Sequence, residues 1–419
     1  MAAAAHPIRW PSEWRDPGAL SVLQGTPFNY LLMEENPALA AVASKAREHD
    51  IQVAQAAPEA IVSIKGLWPG IRMSQSSNPD AAKAGPTGEA WVNTNGWRIR
   101  LAAALHPGSS IWVDAAPPAD TALLTEAYLI AIADAAMYGG RWITSLDHQL
   151  AAGIAAQKAE ALHTWREMIR TIAFFSAHES WWSDYIPKAV VGVLSEFAGK
   201  NATFSHEALN LLGRTNTQYR IVLTEQLKNG SLAGLKALVC LDPNPPAGAS
   251  LQSILAFVER GGVLIAGPAW GQLPGSPDQW SDNPRYMARS FGKGRMAFAN
   301  SPLTDPYLFA NDAVVLISHR YDLLRFWNAG AVGSFLTERP DRERAVVQML
   351  FFAKELNGRV TPGQGPDTAS VRVTGRYRTA SLSGPDRSGD EPIETAATQD
   401  AVELHLPSIA QYAAVELEV

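Results

Sequence analysis

Between residues 28 and 182, short apolar runs alternate with stretches of helical period, and nothing else in the chain restricts the fold as much. The runs FNYLLME (28–34), IQVAQAA (51–57), AIVSIKGLW (60–68), SSIWVDA (109–115) and RWITSLD (141–147) read as strands. Most are separated by helical segments such as PALAAVASKAREHD and TALLTEAYLIAIADAAMYGG. Strands joined through helices lie parallel, because a two-residue hairpin cannot return the chain in the same direction. Several of these runs end in Glu, Asp or Trp, which fits a TIM-type β/α barrel, whose functional groups gather at strand C-termini. About five or six strands are read where a full barrel has eight, so the expectation is a truncated barrel over residues 1–185.

A second unit is expected over 186–358. AVVGVLSEF, QYRIVLTEQ, GLKALVCLD and VLIAG read as strands, with helices at SHEALNLLGRT and SLQSILAFVERGG, as in a doubly wound α/β domain. From 359 to 419 the period falls to two in SVRVTGRYRTASL and AVELHLP, predicting a small C-terminal antiparallel β domain. The single cysteine, Cys240, sits in an apolar strand and reads as a buried, inert thiol; it excludes intrachain disulfides and cysteine-based zinc sites. A net charge of −6 with no long basic run argues against nucleic acid as partner. No stretch reads as a membrane span or secretory signal, so a cytoplasmic location is the default expectation.

Ten of the thirteen tryptophans fall in the first 182 residues, several beside an acid. Indole faces stack on the C–H face of a pyranose, while carboxylates and carboxamides bond its hydroxyls, so a carbohydrate is the expected substrate. Glycoside hydrolysis needs two carboxyl groups, roughly 5–5.5 Å apart for retention or 6.5–9.5 Å for inversion. Glu89, Asp114 and Asp147 are the catalytic candidates, with helix capping as the alternative for Asp114 and Asp147. Trp68, Trp91, Asn93, Asn95, Trp97, Trp112, Trp142 and His148 are the candidate substrate contacts; Asn95-Gly96 also reads as a turn and Trp68 as core. Glu34 and Glu35 read as part of a helix start. His319-Arg320 and residues 325–328 read as ion pairs between domains, or as a cover for the barrel mouth. The histidines lack HExxH-like spacing, and no phosphate-loop or dinucleotide fingerprint is present, so neither a metal nor a cofactor is expected.

A tryptophan-rich barrel, then YRIV…GLKALV…FVERGGVLIAG, then a β unit resembles the family-42 glycoside hydrolases of β-galactosidase type. The resemblance implies a middle domain like a class I glutamine amidotransferase without its catalytic residues, and assembly as a homo-oligomer, a trimer. It implies a glycosidase; a non-catalytic carbohydrate-binding protein or an assembly protein with a degenerate barrel are the alternatives. Hydrolases of that clan carry an Asn-Glu pair after the fourth barrel strand, and no Asn-Glu dipeptide occurs in the first half of this chain. The resemblance therefore assigns no catalytic residue.

Overall fold

The computed structural model describes residues 5–73, 83–86, 93–227, 230–356 and 359–419. Its N-terminal part is built on six short parallel strands: β1 (Pro7–Arg9), β2 (Tyr30–Leu32), β3 (Gln52–Ala54), β4 (Ile61–Lys65), β5 (Ser110–Asp114) and β6 (Arg141–Trp142). β1, β2 and β3 pair in sequence order, as do β4, β5 and β6. The two sheets join at Ile8 and Thr144, where Arg9 N donates to Thr144 O at 2.8 Å and Thr144 N to Pro7 O at 3.1 Å. The sheet thus curls in chain order, with six strands where a complete barrel has eight. Helix α1 (Ala40–Glu48) links β2 to β3, α2 (Gly96–Leu105) precedes β5, and α3 (Thr125–Met137) precedes β6. Between β3 and β4 only residues 55–60 intervene, too few for a helical crossover, and no ladder joins these two strands. The curl stays open there.

Alternation along the strands sorts side chains into two layers. Tyr30, Leu32, Trp112 and Ile143 meet inside the curl. Ile8, Leu31, Ile111, Val113 and Trp142 point outward, into a larger core shared with α3, α4 (His148–Ala155) and α5 (Ala159–Ala177). Helix α3 is apolar on nearly every side, as suits a helix covered on both faces.

The middle unit is a sheet in the order β8-β7-β9-β10-β12-β11. Its strands are β7 (Val191–Ser195), β8 (Tyr219–Leu223), β9 (Ala237–Cys240), β10 (Val263–Ala266), β11 (Tyr286–Phe291) and β12 (Gly294–Ala299). All neighbours are parallel except β11 and β12. Helices α6 (Ala202–Arg214) and α8 (Pro306–Ile317) cover one face and α7 (Gly248–Glu259) the other, giving separate cores on the two sides. Cys240 is fully buried, and burial with Asp242 nearby pushes its thiol well above the usual range.

The antiparallel part begins earlier than the sequence reading placed it. Strands β13 (Leu324–Trp327), β14 (Ala331–Glu338) and β15 (Arg344–Leu356), assigned above to the 186–358 domain, pair with strands C-terminal to 359. β13 bonds β16 (Ala369–Thr374), and β15 lies between β14 and β19 (Tyr412–Glu418). Two antiparallel sheets enclose a core that includes Val347, Phe351, Val371 and Leu404. Even Ile186–Pro187 belongs here, bonded to Thr337 and Glu338. A strand is assigned by its partner, and these partners lie far along the chain.

Candidate functional site

The inner face of the curl is apolar at mid-height and charged at its C-terminal end. Inside, Tyr30 meets Trp112 edge-to-face at 5.0 Å, closing the lumen. In phase with Trp112, two residues on, is Asp114; in phase with Ile61 and Ser63 is Lys65, opposite Asp114 in the ladder. Arg9, out of phase with the core residue Ile8, donates from Nη2 to Asp114 Oδ1 at 2.7 Å. β6 lies between β1 and β5, so this bond reaches over an intervening strand. Both side chains are more than a third exposed (37% and 39%), so the pair contributes little to folding, about 0–1 kcal/mol.

Sequence reasoning gave Glu34 and Glu35 a helix-start role, and the structure corrects that. Asn36 is the cap: its side chain accepts from Ala38 N at 2.9 Å. Met33 N still donates to Ala54 O at 2.9 Å, which carries the ladder past β2 and leaves Glu34 in phase with the lumen residues Tyr30 and Leu32. Glu34 and Glu35 are exposed, and Glu35 accepts from Gln55 Nε2 at 3.4 Å. Arg9, Glu34, Lys65 and Asp114 thus follow the inward phase at the end where barrel chemistry collects. Arg9 was missed because PIR is a three-residue strand opened by proline, a residue that argues against strand assignment.

The expected indole-lined hollow does not form. Trp112 is 1% exposed inside the lumen. Trp142 pairs one ladder position after Arg141↔Trp112, so it faces the opposite way, into the helical layer. There it meets Trp68 at 5.0 Å; Trp68 Nε1 donates to Ala116 O at 2.9 Å. Trp97 packs on His206 of α6 at 4.9 Å with the Arg98 guanidinium over its ring, away from the lumen. Glu89 and Trp91 lie outside the described residues.

Asp147 is buried and takes the capping role. Its Oδ1 accepts from Gln149 N and Leu150 N at 2.8 and 3.0 Å, its Oδ2 from Leu123 N and the Tyr128 hydroxyl at 3.1 and 2.9 Å. His148 is exposed, with Nδ1 3.4 Å from Glu13 Oε1. Asn93 is exposed and its Oδ1 accepts from Asn210 Nδ2 at 3.1 Å and from Arg214.

Asn95 is fully buried and acts as a latch. Its side chain accepts from Leu67 N and donates to Leu67 O, both at 2.9 Å; its backbone N and Nδ2 donate to Asp134 Oδ2 at 2.8 and 2.9 Å. The loop after β4 is thereby tied to α2 and α3. Gly66 permits the approach, since a Cβ there would lie 2.3 Å from Val113 Cγ1. Asp134 escaped sequence reasoning, its one sign being an acid in the run YLIAIADAAM. Burial pushes its carboxyl up to about 7, against the pull of the two Asn95 donors. At the opposite end of the curl, burial and then Arg141 push His6 down to about 4; its Nε2 lies 2.9 Å from Ser176 Oγ. Among the described residues no group of three or more His, Cys, Asp or Glu is placed to hold a metal ion.

No family model matches the chain, and no curated protein matches it. Solved structures share its arrangement. The α-L-fucosidase isoenzyme 2 of Paenibacillus thiaminolyticus is 14% identical over 77% of this chain and 62% of that one, with a TM-score of 0.48. The β-galactosidase of Rahnella sp. R3 is 10% identical over 78% and 57%, TM-score 0.48. The GH42 β-galactosidase Gan42B of G. stearothermophilus, from the family that the module order resembles, is 10% identical over 74% and 60%, TM-score 0.46. The chain spans less than two thirds of the length of each.

Proposed function

We propose that the chain binds and hydrolyses a glycoside at the C-terminal end of its curled parallel sheet. The observation that carries the reading is the Arg9–Asp114 bond over a lumen closed by Trp112, with Lys65 and Glu34 following the same inward phase. Asp114 and Glu34 supply two carboxyl groups from separate strands, the minimum for glycosidic cleavage. Arg9 orients one oxygen of Asp114 by a charge-assisted hydrogen bond. Arg9 and Lys65 are donors for sugar hydroxyls. Glu89 stays a third candidate, and Asp147 is a structural cap in this reading.

The test is turnover of a panel of nitrophenyl glycosides by the full chain, its Asp114→Asn and Glu34→Gln variants, and Asp147→Asn. Loss of one member of an acid/base pair is expected to slow turnover by about 10²–10⁴-fold, with melting unchanged for the two exposed positions. Undiminished turnover in both Asp114→Asn and Glu34→Gln would sink the site. Binding without turnover by the unaltered chain would sink the hydrolytic part.

A further inference from the structure

The middle unit holds a second cavity, unrelated to the barrel mouth. It has a volume of about 310 Å³, and its wall includes Trp280, Ser281, Lys293, Arg295, Arg320 and Tyr321. Three cations therefore share one wall that has no carboxylate, in a chain whose net charge is −6. All three are exposed, and among the described residues none makes an ion pair or a side-chain hydrogen bond; Arg295 lies 6.0 Å from the Trp280 ring. The indole is held in place by its Nε1, which donates to Met296 O at 3.3 Å.

Like charges gathered without counter-ions repel, and the only compensation in the wall is the end of α8. That helix finishes against the cavity, with Ser318 in the left-handed region (φ 61°) and its N–H bonded to Val314 O at 3.0 Å. A helix C-terminus contributes about half a negative charge, far short of three cations. The earlier expectation that Arg320 pairs between domains or covers the barrel mouth is thus replaced by a place in this wall.

We infer that this cavity binds a small ligand bearing a phosphate or sulfate group joined to a ring. The guanidinium and ammonium groups match a tetrahedral anion. The Trp280 and Tyr321 rings offer planes for the remainder, and the volume lies within the range of small-molecule sites, about 300–1,000 Å³. A bare inorganic anion would leave the aromatic side of the wall unused.

The experiment is calorimetric titration of the full chain with inorganic phosphate, inorganic sulfate, phenyl phosphate and phenyl sulfate at low and high salt. Saturable binding that weakens with salt is expected, with a phenyl ester bound more tightly than its inorganic anion; which ester wins identifies the source of the anion. Arg295→Gln and Arg320→Gln are each expected to weaken binding about tenfold, the effect of one charge-assisted bond. Trp280→Leu should weaken the phenyl esters and leave the inorganic anions unchanged. No saturable binding of any probe up to about 10 mM, or equal affinity in the two arginine variants and the unaltered chain, overturns the site. Equal affinity for ester and inorganic anion overturns the ring. The arginines are exposed, and unchanged melting of their variants separates lost binding from lost folding.

Discussion

Asp134 and His6 set opposite pH dependences on the stability of the same core, and removing either should expose the other. Asp134 has a folded value of about 7 against 3.8 for the model group, so the native chain holds a proton that the unfolded chain releases. Its contribution therefore falls as pH rises from about 4 to about 7. The shift of roughly three units corresponds to about 4 kcal/mol. His6 goes from 6.5 to about 4, so the unfolded chain takes a proton that the native chain refuses. Its contribution is present above pH 6.5 and is lost as pH falls through about 4, a change of about 3 kcal/mol. Between pH 4 and 6.5 the two slopes are each about 1.4 kcal/mol per unit and opposite in sign, so they nearly cancel. Asp134→Asn keeps an acceptor for the Asn95 donors and removes the titration. Its stability should rise by about 3 kcal/mol from pH 4 to 6.5 relative to the unaltered chain. His6→Gln should show the mirror image, falling over the same window. Urea unfolding followed by tryptophan fluorescence, at constant ionic strength and with unchanged m-values, measures both differences. A pH-independent difference between Asp134→Asn and the unaltered chain would refute the claim that burial holds this carboxyl protonated.

Asp147→Ala removes four accepted hydrogen bonds and should cost about 3 kcal/mol in unfolding experiments, leaving glycoside turnover per folded molecule unchanged. Lost turnover with full stability would instead make Asp147 catalytic. Gly66→Ala forces a Cβ against Val113 Cγ1 and should destabilise by about 1–3 kcal/mol, with Val113→Ala in the same chain recovering part of the loss. Trp112→Ala opens the lumen under the mouth and should cost about 3–5 kcal/mol by thermal or urea melting.

The layered organisation was legible because apolar period and helix length are local properties. Five of the six parallel strands stand out as runs of apolar residues, and the doubly wound middle unit reads directly from its strand-helix alternation. The site was harder. Closeness in sequence was taken as closeness in space, yet along a strand only residues two apart share a face. Asp114 does share the face of Trp112, whereas Trp142 faces the helices and Asp147 lies beyond its strand at the start of α4. Glu34 was within reach of the same rule, two residues beyond Leu32. The start of the antiparallel unit was not, since β15 is defined by bonds to Tyr412–Glu418, far along the chain.

An open curl of six short strands raises the question of what holds it, since three-residue strands supply few ladder bonds and β3 and β4 are left as edges. The answer lies in the outer layer. Phe335, Val346, Leu350, Phe352, Tyr412 and Ala414 of the antiparallel sheet join the same core as α3 and α5. Phe175 meets Tyr412 at 4.8 Å, and Phe174 meets it at 5.9 Å. Burying a side chain of this size contributes about 1.5–3 kcal/mol each, far more than the exposed Arg9–Asp114 pair. Stability is thus concentrated on the outward faces of the strands and on the helices behind them. The inward C-terminal end is left with charged, half-exposed groups that the fold does not need, and a group with no structural duty is free to meet a ligand.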